Sequence, residues 1–384
     1  MKINIISDGN ISTVSLLEQV LKGISPSVTI NKIPLQNLNF SLLFDSLCIF
    51  CRNCLPGYDD IPKLLKKNGV PYIYYIDDNL WELKGESAIA KYHSHPLVLT
   101  SLTAFVENAS LVITSTKRLE EYIRNSGFND EVITLPNFVD FSTFDKVQMV
   151  KIREKKTLTI GYAGSAKEKA FQPVLNALSE LKDEGYEFLL EFVGFRPKDK
   201  RLDFEYFPFM HSYEDYIFLV KSRGWDLALA PFEEDYFWSF KTDNKYREYS
   251  ALSLPAIYSN VTPYNMTIID GINGLLVDNS VDSWKIGLKR AMTDELLRAT
   301  ICVNSERDVR NRYDLNIVKD AWSEVIIKDR YIVRQRLYFS SRWLKIVQKI
   351  KLHFFLIGRF INLMKSEGGT VAVLKVINYL RRSF

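Results

Sequence analysis

The sequence predicts an α/β fold: two doubly wound, parallel-sheet domains followed by a basic helical tail. Three observations carry that expectation. Short apolar runs that read as buried strands alternate with segments of helical period. The alternation stops in a polar stretch ending at Lys156 and restarts at Leu158. After Tyr331 the charge changes sharply, with eleven Lys or Arg against a single acid, Glu367. The domains are accordingly expected at residues 1–140 and 157–330, with a linker at 141–156 and the tail at 331–384.

In the first domain, residues 3–7 read as a strand ending in Asp8-Gly9-Asn10, and a helix follows through Leu21. Further strands are expected at 28–33, 47–51, 71–76, 111–114 and 132–135, with helices at 62–67 and 117–125. The run Pro71 to Ile76 is apolar throughout, as a strand covered on both faces must be. Around His93 and His95, next to Pro96, a loop is expected. In the second domain the strands are expected at 158–162, 189–193, 226–230, 256–259 and 275–277, with helices at 172–183 and from Val281 to about Lys328. In a doubly wound pair of this kind the polar loops at the strand ends face a shared cleft.

With 47% hydrophobic and 25% charged residues in 384, the chain has the composition of a globular protein with a sizeable core. Four cysteines are too few for a disulfide framework at this length, and the sequence enters a strand directly after Met1-Lys2, which together suggest a reducing cytoplasm. Cys48, Cys51 and Cys54 have a spacing that suggests metal ligands. They lie in an apolar run without a partner cluster, and buried small side chains are the expected reading. No apolar run is long enough to cross a bilayer.

The most informative stretch runs from Lys241 to Val277. It begins with a helix after Thr242 or Asp243 as N-cap, on which Lys241, Lys245 and Glu248 form one stripe. Two lysines at a helix N-terminus suit a diphosphate, and an ionised Glu one turn on is an acceptor for two ribose hydroxyls. A strand, a turn at Pro263 and the sequence Asp270-Gly271-Ile272-Asn273-Gly274-Leu275-Leu276-Val277 follow. The segment resembles the donor-binding signature of GT-B glycosyltransferases, specifically the family 4-like bacterial sugar transferases. That resemblance implies a Rossmann-like second domain for a nucleotide sugar, and a last helix that crosses back to the first domain. Where the best-known members carry a first glutamate, eight residues before Glu248, this chain has Phe240. Its Lys-x-x-x-Lys-x-x-Glu pattern is similar to that of a divergent branch of the group.

Other candidate residues sit in the strand-end loops. Gly164-Ser165 is a turn able to approach phosphates closely, and the resemblance gives the same loop contacts with the donor. Lys169 stands near the family's donor-binding lysine. Gly9 leaves room for a ligand in the first loop. Asp77-Asp78 leaves a buried strand at the expected cleft, where one carboxylate orients or deprotonates the acceptor hydroxyl; the alternative is that Asp78 caps a helix. Arg52, past the third strand, belongs either to the acceptor side or to the surface. His211 falls in a region that contacts the nucleobase in the resembled family, and an ordinary exposed histidine is the alternative. The stretch from Phe232 to Phe240, with three acids and five aromatics, either floors the sugar pocket or packs in the core.

The tail mixes bulky apolar side chains with Lys and Arg. On a helix, Leu344, Val347, Leu352, Phe355 and Leu363 share a broad side, as in helices that lie on anionic membranes. The alternative is that this side packs on the preceding domains. The basic residues are tied to an apolar face, which argues against nucleic acid.

The resemblance implies a cytoplasmic, peripherally membrane-associated glycosyltransferase that moves a hexosyl or deoxyhexosyl group from a nucleotide-diphosphate sugar to a glycan or lipid-linked glycan of a bacterial surface polysaccharide. Retention of configuration is expected, with no metal, because Lys241, Lys245 and the Gly164-Ser165 loop are expected to stabilise the leaving group. Two other classes remain open: a catalytically silent donor-binding or scaffolding partner, and a nucleotide-sugar 2-epimerase.

Overall fold

The computed structural model describes the chain except residues 10, 26, 148–156, 166, 211, 335–346, 349, 359 and 361–384. It divides into two compact units, Met1–Leu135 with Ser323–Phe384, and Pro136–Trp322.

The first unit is built as β1 (Lys2–Ser7), α1 (Ser12–Ile24), β2 (Thr29–Pro34), β3 (Leu47–Cys51), α2 (Asp60–Lys67), β4 (Ile73–Ile76), α3 (Ala88–His93), α4 (Pro96–Glu107), β5 (Leu111–Thr114), α5 (Lys117–Asn125) and β6 (Val132–Thr134). Its six strands are all parallel, in the order β2-β1-β3-β4-β5-β6. β3, β4 and β5 are buried at every position, which explains why their sequences are apolar without alternation. The order reverses between β1 and β3. In sheets of this kind, ligands bind at the carboxyl ends of the strands where the order reverses.

α3 and α4 replace the loop expected around the histidines. Ser87 caps α3 through Ala90, and His95 caps α4 by accepting the Leu97 N–H at Nδ1 (3.2 Å). Pro96 then occupies the first helical turn, the one place in a helix that needs no N–H from it. A proline that reads as a loop marker is here a helix start.

The second unit comprises α6 (Phe141–Lys146), β7 (Leu158–Ala163), α7 (Glu168–Asp183), β8 (Phe188–Val193), β9 (Glu205–Phe207), α8 (Tyr213–Arg223), β10 (Leu227–Ala230), α9 (Asn244–Ala251), β11 (Ala256–Ser259), β12 (Leu275–Val277), α10 (Val281–Thr293), α11 (Glu295–Tyr313) and most of α12 (Leu315–Ile326). Its parallel sheet runs β12-β11-β10-β7-β8-β9, reversing between β7 and β10. The edge strand β9 escapes sequence reading because it has three residues and none is buried. One core lies under α7 and α10, around Phe171, Leu178 and Trp284; another joins Trp225, Tyr246 and Tyr249. Gly161 is required in β7 because a Cβ there would stand 1.9 Å from the Trp225 ring.

Where the sequence reads a linker, the second unit begins. The Val139 carbonyl accepts the Leu315 N–H (3.0 Å), and Phe141 and Phe144 are buried by α6. α7 starts at Glu168, a turn before the expected Gln172, with Ala170 and Phe171 buried in the added turn. The chain passes from the second unit to the first inside α12.

Candidate functional site

Each unit gathers polar side chains at the reversal point of its sheet.

In the second unit, Gly164 follows the end of β7. A Cβ at this position would meet the Tyr162 hydroxyl at 2.7 Å and Lys245 Cε at 3.4 Å, so only glycine lets the loop lie against the Lys245 stem. The Gly164 N–H donates to the Val193 carbonyl (2.9 Å), and the Tyr162 hydroxyl donates to the Ser165 carbonyl (2.9 Å). α9 supplies Lys245 and Glu248, which form an ion pair, and the Tyr216 hydroxyl donates to the same Glu248 Oε2 (3.4 Å). Burial and the nearby Glu248 carboxylate both push the Tyr216 phenol well up, so it stays a donor.

Lys241 precedes α9 instead of standing on it. It follows the 3₁₀ turn Trp238–Phe240, with Nζ 5.0 Å from the Phe237 ring centre and 5.5 Å from that of Trp238. Asp243 occupies the N-cap position, but its carboxylate takes Arg247 (3.0 Å), Thr267 (3.1 Å) and Tyr313 (2.7 Å) in place of the helix N–H groups. It holds the helix to its surroundings and does not itself accept from the N-terminal turn.

Lys167, immediately before α7, completes the group. Its Nζ lies 4.1 Å from the centre of the Phe232 ring and 5.8 Å from that of Trp238. Burial, and then the charge of Lys245, lower its pKa to about 7; Lys241 acts in the same direction and Glu233 opposes. Lys167 and Lys241 thus share the Trp238 ring, Lys245 lies over Tyr216 and Tyr249, and both Lys241 and Lys245 are within electrostatic reach of Lys167. In the stretch from Phe232 to Phe240, Phe232, Phe237 and Phe240 are buried, as core packing requires, and Lys167 and Lys241 lie over its rings. Repulsion among neighbouring cations is relieved by an anion.

Lys169 is turned outward, 87% exposed and 3.5 Å from Glu233. The inner lysine at the start of α7 is therefore two residues earlier than the one the sequence suggests. Phe240 packs edge-on against Tyr236 (5.2 Å between ring centres). The loop after β11 is held internally: Asn273 accepts the Ile269 N–H (2.7 Å) and donates to the Tyr246 hydroxyl (2.9 Å). His211 lies outside the described residues.

In the first unit, Arg52 follows β3 with a positive φ of 54°. Its guanidinium pairs with Asp78 (2.8 Å) and Asp77 (3.3 Å), and Thr13 donates to Asp77 Oδ2 (3.0 Å). Burial works against the Arg52 charge, but the two carboxylates outweigh it and raise its pKa. Asp78 does not cap a helix, since the next one begins at Ala88 and is capped by Ser87. Gly9 is at the exposed end of β1 with nothing within 4 Å of a Cβ placed there.

Two neighbours had no signal of their own in the sequence. Asp8, at the end of β1, accepts from the Cys54 N–H (2.7 Å) and from Asn53 Nδ2 (2.8 Å); burial nevertheless raises its pKa to about 6. His93 Nδ1 lies 3.9 Å from Cys54 Sγ, and burial followed by the Arg52 charge lowers its pKa to about 4. Cys48, Cys51 and Cys54 are all buried thiols.

Two parallel sheets of this topology, each with its polar loops at the reversal point, constitute the GT-B fold. Solved structures share it: the Anabaena protein HepE in complex with UDP has a TM-score of 0.62 at 13% identity, covering 84% of this chain and 99% of HepE. Sucrose-phosphate synthase of Thermosynechococcus elongatus gives 0.59 at 13% identity, over 84% of this chain and 98% of the synthase. Among curated proteins, the capsular polysaccharide biosynthesis glycosyltransferase CapM of Staphylococcus aureus is 25% identical over 234 residues. That match spans 56% of this chain and 57% of the length of CapM. No family model matches the chain.

Proposed function

We propose that the chain is a glycosyltransferase that transfers a hexosyl or deoxyhexosyl group from a nucleoside-diphosphate sugar to a glycan or lipid-linked glycan during bacterial surface-polysaccharide synthesis. The observation that carries the reading is the convergence of Lys167, Lys241 and Lys245 beside Glu248 and the Gly164 turn. A cationic group at the reversal point of a doubly wound sheet is suited to a diphosphate that must leave with its charge stabilised. The likeness to CapM, and the UDP held by HepE on the same fold, support that choice of donor.

In this mechanism the three lysines neutralise the diphosphate as the glycosidic bond breaks, a role that needs no metal. Glu248, fixed by Lys245 and Tyr216, accepts hydroxyls of the ribose or of the sugar. Arg52 orients Asp77 and Asp78, and one of these carboxylates orients the acceptor hydroxyl. Retention of configuration remains part of the proposal. We assign the basic tail to the inner face of an anionic membrane. No helix among the described residues is long and apolar enough to cross one.

The test is a thermal-shift screen of UDP, GDP, dTDP, CMP and ADP with wild type and Glu248→Ala. A nucleotide at roughly 100 times its dissociation constant adds about 2.7 kcal/mol of stability. The proposal expects one nucleotide to stabilise wild type and to lose most of that effect in the variant. No shift with any of them contradicts it. Buried Phe240, in place of the resembled family's first glutamate, keeps a silent donor-binding partner as the second reading. Acceptor-dependent donor consumption excludes that reading, and conversion of the donor without acceptor points to a 2-epimerase.

A further inference from the structure

The described part of the tail, helical at residues 347–348, 350–358 and 360, has two unlike faces. One is seated on the first unit. Phe355 is 4% exposed, with its ring edge-on to His95 (4.7 Å) and Tyr92 (6.0 Å). Lys351 pairs with Asp60 (2.8 Å) and Asp59 (3.2 Å), and Gln348 is buried. The fit leaves no slack: a Cβ on Gly57 would stand 2.6 Å from Lys351 Cβ.

The other face is apolar and open. Ile350, Phe354 and Ile357 are 50%, 69% and 54% exposed, and their i, i+4, i+7 spacing puts them in one stripe. This reverses the orientation expected from sequence, where Phe355 belonged to the side meeting lipid. The first unit takes that side, and the opposite one is left in solvent.

We propose that Ile350, Phe354 and Ile357 form a docking stripe for the surface of an anionic lipid bilayer, which deepens the membrane assignment made above. Charge complementarity selects this occupant. Residues 331–384 hold eleven Lys or Arg and one acid. Lys351 and Arg334 are engaged by carboxylates of the first unit, and the other nine basic residues surround the stripe in sequence. An apolar stripe among cations is the pattern of an interfacial helix, in which side chains enter the acyl boundary while Lys and Arg meet the headgroups. Docked this way, the helix ties the bilayer to the same unit that carries Arg52, Asp77 and Asp78.

The experiment is vesicle co-sedimentation of the full chain, using phosphatidylcholine with and without phosphatidylglycerol. Wild type is compared with Ile350→Ser/Phe354→Ser/Ile357→Ser and with Leu189→Ser, which alters an exposed apolar residue elsewhere. The expected result is binding to phosphatidylglycerol vesicles that weakens with salt, falls at least about tenfold in the triple variant and is unchanged in Leu189→Ser. Thermal stabilisation by the donor nucleotide, measured on the same variants, stays as in wild type, so a failed stripe is distinguishable from a failed donor assignment. Unaltered binding of the triple variant overturns the proposal, as does equal affinity for uncharged vesicles. A wild-type dimer that becomes monomeric in the triple variant, with vesicle binding unchanged, makes the stripe a contact between copies and also overturns it.

Discussion

At the residue scale, the most informative side chain is Lys167. Its ammonium is held over Phe232 and lowered to a pKa of about 7 by burial and by Lys245. A bound diphosphate favours the charged form, so binding raises this pKa and takes up a proton when the free lysine is neutral. The sign follows: affinity is greatest below pH 7 and declines as the pH rises through that value. Calorimetric titration of the donor nucleotide from pH 6 to pH 9 is expected to show the decline in wild type. Lys167→Met is expected to bind more weakly and to lose the part of the slope that this lysine supplies. The sequence pointed to Lys169 because it stands near the donor-binding lysine of the resembled family. Only the path of the chain after Gly164 decides which of Lys167 and Lys169 turns inward. Glu248 and Lys245 were legible because their spacing on a short helix is fixed by helical geometry. Asp8 and His93 were not, since their environment comes from Asn53 and Cys54, some forty residues away in the chain.

At the scale of elements, the strands could be read because a parallel sheet covered on both faces demands continuous apolar runs, as in β3, β4 and β5. The exposed three-residue β9 and the paired helices α3 and α4 follow no such demand; α4 is buried on too many sides to show a clean stripe. Phe240 is an element-level residue, fixing the 3₁₀ turn ahead of Lys241. Its replacement by alanine leaves a cavity among rings, and about 3 kcal/mol of stability is expected to be lost in urea unfolding of the protein. Asp8 ties the end of β1 to the segment after β3. Because its carboxyl is raised to about 6 in the fold, the native state binds more protons than the unfolded chain between about pH 4 and pH 6. Stability contributed there is present at the acid side of that window and lost as the pH rises through it. Asp8→Asn is expected to flatten this dependence, as read from denaturant midpoints across the window.

At the scale of the whole molecule, charge is partitioned. The tail has eleven basic residues and one acid, leaving thirty-nine basic against forty-five acidic residues in the rest of the chain. Part of the tail is built into the fold of the first unit, where Phe355 fills the space beside Tyr92 and His95. Phe355→Ala is accordingly expected to lower the melting temperature of the full chain, with a cost of about 3 kcal/mol for a ring so thoroughly covered. The amphipathic character was legible in sequence, but not which face the first unit occupies, because both sides of the helix carry large apolar residues.

The central claim is that the second unit recognises a diphosphate through converging lysines. It is tested most directly by comparing the affinity of the stabilising nucleoside diphosphate with that of its monophosphate, in wild type and in Lys245→Met. A charge-assisted hydrogen bond contributes about 1.5–3 kcal/mol, so wild type is predicted to prefer the diphosphate by roughly tenfold or more, and the variant to lose most of that preference. Equal affinity for the two nucleotides in wild type, or a preference untouched by Lys245→Met, would contradict the account.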